Sequence, residues 1–252
     1  MEKLILSYLN EIESKYEIEI LLACETGSRA WGFPSPDSDY DVRIIYKHNV
    51  DWYLSLSEKK DYIEWMAEGN ILDITGWDLR KTLRLLYKSN ASILERIQSP
   101  IIYKHNEEFL SQINELAQSC FSPIATFYHY FGLAKNTFSD LDGCKELKLK
   151  KLFYALRATL ACNWIIQKDS IPPISFITMV NELAFDENIR AEIKNLITLK
   201  LTKDESYIHQ ADENMLQFIR ENLNAATADA ARLTGAKNKQ TDLDRFFKNW
   251  IK

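Results

Sequence analysis

Glycine and proline are scarce, seven and six among 252 residues. So low a share excludes collagen-like, linker-rich and low-complexity chains. Cysteine is scarcer still. Cys24, Cys120, Cys144 and Cys162 lie far apart, with no CxxC and no Cys/His cluster. That argues against a structural zinc site and for reduced, mostly buried thiols in a cytoplasmic protein. Basic excess is missing too: the net charge is −5, unlike chains that bind nucleic acid non-specifically. A local basic patch is not excluded. No apolar run is long enough to span a bilayer. The opening MEKLILSYLNEIESKYEIEI sets acids among its apolar residues, unlike a signal peptide. These absences point to a soluble cytoplasmic protein with no membrane partner. What is plentiful is apolar surface. At 46% hydrophobic residues the chain can build the core of one large domain or two modest ones.

The first hundred residues mix helix and strand periods. Leu4, Ile5, Tyr8, Leu9 and Ile12 fall at helical spacing. IEILLAC reads as a buried strand running into a turn at Gly27, and VRIIYK as a second strand. DYIEWMAEGNILDITGW reads as a hairpin turning at Glu68-Gly69-Asn70. DLRKTLRLLYKSN then places Leu79, Thr82, Leu83 and Leu86 on one helical face, and SNASILERI follows as another helix capped by Ser89 or Asn90. After IIYK strand signals fade. From Glu107 onward helical patterns dominate: FLSQINELAQSC, FYHYFGLAKNTF, ELKLKKLFYALRATLACNWIIQ, and a helix-prone last third. The expected class is α+β: a mixed-sheet domain over 1–105, then a helical domain over 106–252, with the change of class near 104–108.

The chemistry concentrates in GSRAWGFPSPDSDYD, residues 27–41. Asp39 and Asp41 are two apart, so at the start of a strand their carboxylates project from one face. Two carboxylates that close repel unless a cation lies between them or one takes a proton. Mg²⁺ favours a few carboxylates with phosphate oxygens and water, which suits a metal–nucleotide site. Gly27 lets backbone approach a ligand, a short helix from SRAWGF would offer N–H groups to phosphate, the Ser28 hydroxyl adds a donor, and Arg29 adds a cation. A third acid should come from a neighbouring strand. Asp73 sits mid-run among β-prone residues and ranks first. Asp78, just before a helix, has a ready role as N-cap, and Glu64 ranks third. Asp37 in PSPDS reads as a turn residue. A calcium loop fails because Val42 and His48 stand where Gly and Glu are required. There is no P-loop and no GxGxxG.

Gly27-Ser28, a ten-residue spacer, Asp39-x-Asp41 and a later strand acid resemble the signature of the DNA polymerase beta-like nucleotidyltransferase superfamily over roughly residues 20–80. The longer string GSRAWGFPSPDSDYDVR, with LDITGWDLRK, LLYKSN, FYALR and Pro172-Pro173, resembles a narrower bacterial group of predicted nucleotidyltransferases, some linked by name to RNA repair, through at least residue 180. The resemblance implies a small mixed sheet with helices, a helical domain after it, and a nucleotide between them. It implies two Mg²⁺ ions, with Mn²⁺ as a substitute, held by Asp39 and Asp41. Asp73 would join them and activate the attacking hydroxyl, and Gly27 and Ser28 would hold the terminal phosphates.

The expected reaction moves a nucleoside monophosphate from a nucleoside triphosphate to a hydroxyl and releases pyrophosphate. The acceptor could be an RNA end, a small molecule or a protein side chain. On the helical side Lys150, Tyr154 and Arg157 share a face at i, i+4 and i+7. Lys151, Tyr154 and Arg157 are candidates to meet phosphates and a base, against the plain alternative of a solvated or core face. A nucleotide sensor or partner-binding module without turnover is the competing function. The four histidines have no partner acid at an informative spacing and read as structural.

Overall fold

Short β-prone runs build the sheet. The computed structural model describes residues 1–235 and 239–252. In chain order its elements are α1 (Glu2–Tyr16), β1 (Glu19–Glu25), α2 (Gly27–Trp31), β2 (Tyr40–Lys47), α3 (Val50–Leu54), β3 (Tyr62–Ala67), β4 (Leu72–Asp78), α4 (Leu79–Tyr87), α5 (Ala91–Ile97), β5 (Ile102–His105), α6 (Glu107–Cys120), α7 (Pro123–Ser139), β6 (Glu146–Lys148), α8 (Leu149–Lys168), α9 (Phe176–Glu182), α10 (Glu187–Lys200), β7 (Ile208–Gln210), α11 (Glu213–Asp229) and α12 (Gln240–Trp250). The helix-prone reading of the last third runs across 236–238, which lie outside the described residues.

The chain divides into two units. One comprises Met1–Ala30, Asp39–Cys120 and Lys237–Lys252, the other Trp31–Ser38 and Phe121–Ala236. The division expected at 105/106 coincides with the end of β5, the last strand of the larger sheet. The contact-defined units are drawn differently. α6 and α12 stay with the sheet, where Trp250 Nε1 donates to Gln112 Oε1 at 3.0 Å and the Trp250 ring meets Phe109 edge-on at 5.1 Å. Such distant pairing leaves no trace in local periodicity.

In the first unit five strands run in the order β3-β4-β2-β1-β5. β2 and β4 are parallel, and the other neighbours are antiparallel. A parallel pair needs a crossover, and here α3 and β3 supply it. β1 is buried on both faces beyond its first residue, as its unbroken apolar run requires. On β2, Val42, Ile44 and Tyr46 point into a core shared with Ile5, Leu9 and Ile12 of α1 and with Leu72 and Ile74 of β4. Leu4, expected on that face, stands 37% exposed, because the buried stripe follows 5, 9 and 12. The opposite faces of β2 and β4 carry Asp41 and Arg43, and Asp73, Thr75 and Trp77. A side chain at Gly76 would strike Ile44 Cγ1 at 2.6 Å, so the parallel pair packs closely only because that side chain is missing. The hairpin from β3 to β4 turns through Glu68–Asn70 as expected. Asp78 caps α4 and Asn90 caps α5.

The second unit is built on α8. Its residues from Leu152 to Ile165 are buried almost all round, the mark of a central helix, and α7 and α11 pack on it. Glu146–Lys148, expected to begin that helix, instead pairs with β7 as a two-stranded ribbon. Its partner lies some sixty residues away, and that pairing overrides local helix propensity. The segment Trp31–Ser38 belongs to this unit. Phe33 is 1% exposed and packs on Phe153 and Phe176 at 4.7 and 5.2 Å. The buried Lys200 ammonium donates to Ser35 Oγ, and Asp37 accepts the Glu205 N–H at 2.9 Å. Cys24, Cys120 and Cys162 are buried, Cys144 is exposed, and all four are free.

Candidate active site

The corner after β1 is tied to Asp41 by backbone. Thr26 donates its N–H and its hydroxyl to the Asp41 carbonyl at 2.9 and 3.0 Å. Gly27 follows at φ +64°, a region that suits glycine. A Cβ there would overlap Asp41 Oδ2. The glycine therefore does two things: it makes the turn, and it leaves room for the Asp41 carboxylate beside the backbone. α2 begins at this residue and carries Ser28 and Arg29.

Asp41 is also gripped from below. Its N–H donates to Glu25 Oε1 at 2.6 Å. Glu25 is fully buried, and its other oxygen accepts the Tyr103 hydroxyl at 2.5 Å. Burial raises the Glu25 pKa, opposed by the hydrogen bonds from Tyr103 and Asp41. The sequence reading did not single out Glu25. An acid closing an otherwise apolar run was the available signal.

Parallel register places Asp41 opposite Asp73. Arg43 projects from the same face of β2, two residues on. Its Nη2 lies 2.9 Å from Asp41 Oδ1 and 2.9 Å from Asp73 Oδ2. Its Nη1 donates to the Asp73 and Val42 carbonyls, each at 3.1 Å. The two carboxylates thus share one guanidinium, which neutralises charge that would otherwise repel. The sequence reading did not single out Arg43, although its i+2 spacing from Asp41 carried the signal. Behind the pair lies a second guanidinium. Arg96 is 5% exposed, and its Cζ sits 3.2 Å from the Trp77 ring centroid. Burial, with Arg43 nearby, depresses its pKa to about 9.

Asp39 lies one residue before β2. β2 begins at Tyr40, so Asp39 is exposed in the preceding loop. Its carbonyl accepts Arg29 Nε at 3.0 Å, and the Arg29 guanidinium lies 3.8 Å over the Tyr40 ring. Among the described residues, no three His, Cys, Asp or Glu side chains gather as a metal-holding cluster. Of the expected trio, Asp41 and Asp73 meet on Arg43. Their hard carboxylate oxygens are of the kind Mg²⁺ takes. The rival Asp78 has a structural role. It accepts the Arg80 N–H at 2.8 Å and the Tyr53 hydroxyl at 2.6 Å. Glu64 is exposed and lies 3.9 Å from Lys60.

The candidates on α8 belong to the second unit. Lys151 pairs with Asp140 at 2.8 Å beside an open pocket of about 510 Å³ that Tyr154 also lines. Tyr154 meets the Trp31 ring edge-on at 5.2 Å. Arg157 is 3% exposed with its guanidinium 4.3 Å over Trp31. Lys150 pairs with Glu205 at 2.5 Å. Tyr154 and Arg157 are thus packed against Trp31, while Lys151 stands at the surface.

The chain is similar to three kinds of known protein or family. The family model for the RNA repair pathway DNA polymerase beta family matches residues 1–249. A Bacillus subtilis (strain 168) protein called uncharacterized protein YcgL is 39% identical over all 252 residues, covering 96% of that protein. The crystal structure of a nucleotidyltransferase-like protein from Exiguobacterium sibiricum 255-15 aligns with 88% of this chain and 73% of its own, at 12% identity and a TM-score of 0.33.

Proposed function

The chain belongs to the RNA repair pathway DNA polymerase beta family and is a nucleotidyltransferase of that type, and from that premise we propose that it is Mg²⁺-dependent. In this reading it moves a nucleoside monophosphate from a nucleoside triphosphate to a hydroxyl acceptor, an RNA end first among the candidates, and releases pyrophosphate. One observation supports the reading above the others: Asp41 and Asp73 face each other across parallel strands, and Asp41 borders a glycine corner with no room for a side chain.

In this scheme Asp41 and Asp73 hold the divalent cations, with Asp39 joining them from the loop. When bound, such cations supply charge neutralisation and a lowered pKa for the attacking hydroxyl. Gly27 and Ser28 receive the terminal phosphates through backbone N–H groups and the hydroxyl, and Arg29 adds positive charge near them. Glu25 and Thr26 fix the Asp41 backbone, so its carboxylate is positioned before any ligand arrives. Arg43 balances the charge of the two acids that would hold the cations. Within the second unit, Lys151 and Tyr154, which line one pocket, and Arg157 remain proposed nucleotide-binding residues.

The test is direct. The protein is incubated with α-labelled nucleoside triphosphates, Mg²⁺ or Mn²⁺, and RNA carrying a free 3′-hydroxyl. Label transfer and pyrophosphate release are expected, and both should vanish in Asp41→Asn. Nucleotide binding with neither product would support the sensor reading instead. The guanidinium between the acids is the observation that favours that alternative.

A further inference from the structure

In a chain of net charge −5, the stretch between Asp78 and Glu95 contains no acid and four cations, Arg80, Lys81, Arg84 and Lys88. Two of these are used by the fold. Arg80 donates to the Tyr53 carbonyl at 3.2 Å and lies over the Tyr53 and Phe247 rings. Lys81 pairs with Asp61 at 2.9 Å. The side chains of Arg84 and Lys88 are exposed, and neither makes a hydrogen bond or ion pair among the described residues. The helix dipole accounts for a cation at the end of α4, but not for a stripe that starts in its first turn.

The stripe borders a concavity. Arg80, Arg84 and Lys88 recur every fourth residue, so they lie on one face about 6 Å apart. They line a groove of about 370 Å³ between α4 and α12, with Tyr87 and Phe247 among its walls. Tyr87 is 40% exposed and has no ring partner among the described residues. A second groove of about 370 Å³ shares Arg80 and Arg84 with the first and is lined by Glu58, Asp61 and Asp78 as well, so the cationic tract is the first groove. One acid enters the first groove, Asp244, which accepts a hydrogen bond from Gln240 at 2.9 Å. Regularly spaced cations interleaved with an exposed aromatic ring suit a flexible polyanion with flat bases, not a folded acidic surface.

We propose that the groove between α4 and α12 is a tract for single-stranded nucleic acid, with backbone phosphates on Arg84 and Lys88 and a base stacked on Tyr87. As a seat for the acceptor strand it rests on the transfer reaction proposed above. As a binding site it does not. The groove is distinct from the carboxylate pair: Asp41 and Asp73 lie near the starts of β2 and β4, whereas α4 leaves from the far end of β4.

Fluorescence anisotropy tests this with the full chain and labelled single strands of RNA and of DNA about a dozen nucleotides long. At least one strand should bind, with affinity falling as salt rises. In Arg84→Gln/Lys88→Gln the log–log salt slope should flatten by about 1.4, two contacts at about 0.7 each. Tyr87→Ala should weaken binding about five- to a hundredfold without changing the slope. All variants should keep the wild-type thermal shift with nucleoside triphosphate and Mg²⁺. The proposal is overturned if neither strand binds, or if the double variant keeps the wild-type slope. It is also overturned if polyglutamate binds as tightly as the strands while Tyr87→Ala has no effect. Strand binding without any nucleotidyl transfer would remove the proposed reaction and leave the groove standing.

Discussion

Replacing Arg43 by Gln tests the centre of the site. The change removes the one charge that Asp41 and Asp73 share, each at 2.9 Å from Nη2, while keeping a polar side chain with a donor. Two unit charges about 4 Å apart interact by about 4 kcal/mol at an effective dielectric of 20. The three side chains are 18%, 35% and 27% exposed, so water screens part of that. Losing one partner of a fully buried pair costs about 3–5 kcal/mol. A half-buried triad should therefore lose about 2 kcal/mol. For a chain of this size that lowers the melting temperature by about 4–8 °C. The informative arm is Mg²⁺. A cation that binds only the folded state at a hundred times its dissociation constant adds about 2.7 kcal/mol. In the variant no guanidinium competes, so Mg²⁺ should raise the melting temperature by more than it does in wild type and recover most of the loss. Thermal denaturation with and without Mg²⁺ reads both effects. A variant as stable as wild type without metal, and no more responsive to it, would refute the placement of Arg43 as the counter-ion of this pair.

Other substitutions probe the neighbouring parts. Asp41→Asn and Asp73→Asn should each cut nucleotidyl transfer by at least about 100- to 1000-fold with melting temperatures near wild type; a near-normal rate in either would remove that residue from the site. Gly27→Ala should destabilise by about 1–3 kcal/mol, because φ is +64° and the new methyl meets Asp41, and it should weaken triphosphate binding measured by calorimetry. Asp78→Asn should leave transfer intact, since asparagine caps a helix as well as aspartate does. It should also change the pH profile. Burial raises the Asp78 pKa above the ordinary 3.8, so its stability contribution is full below 3.8 and is lost as pH rises through the raised value. Urea titrations should find the variant gaining on wild type over that window, and parallel curves would contradict the burial argument.

The local elements were legible because neighbouring residues carry them. The alternation of VRIIYK and NILDITGW marked β2 and β4, and the stripe 79, 82, 83, 86 marked α4. Asp41 and Asp73 stood out as acids at strand positions, and Gly27 as a turn. Mixed α/β class and the order of sheet before helices followed from the same periods. Asp39 lies one residue before β2, and no local pattern says what its carboxylate meets.

What the amino-acid order determined by itself was most of the strands, helices and turns, and that two acids and a glycine corner occur at a telling spacing. Only the tertiary structure decided which groups meet. The parallel register set Asp41 opposite Asp73 and put Arg43 between them. The same folding brought Glu25 under the Asp41 amide, paired Glu146–Lys148 with a strand sixty residues away, and buried Phe33 among the helices. Periodicity reports a residue's environment one turn or one pleat at a time. Partners chosen across long loops depend on the register and packing of the whole chain, and no local pattern encodes them.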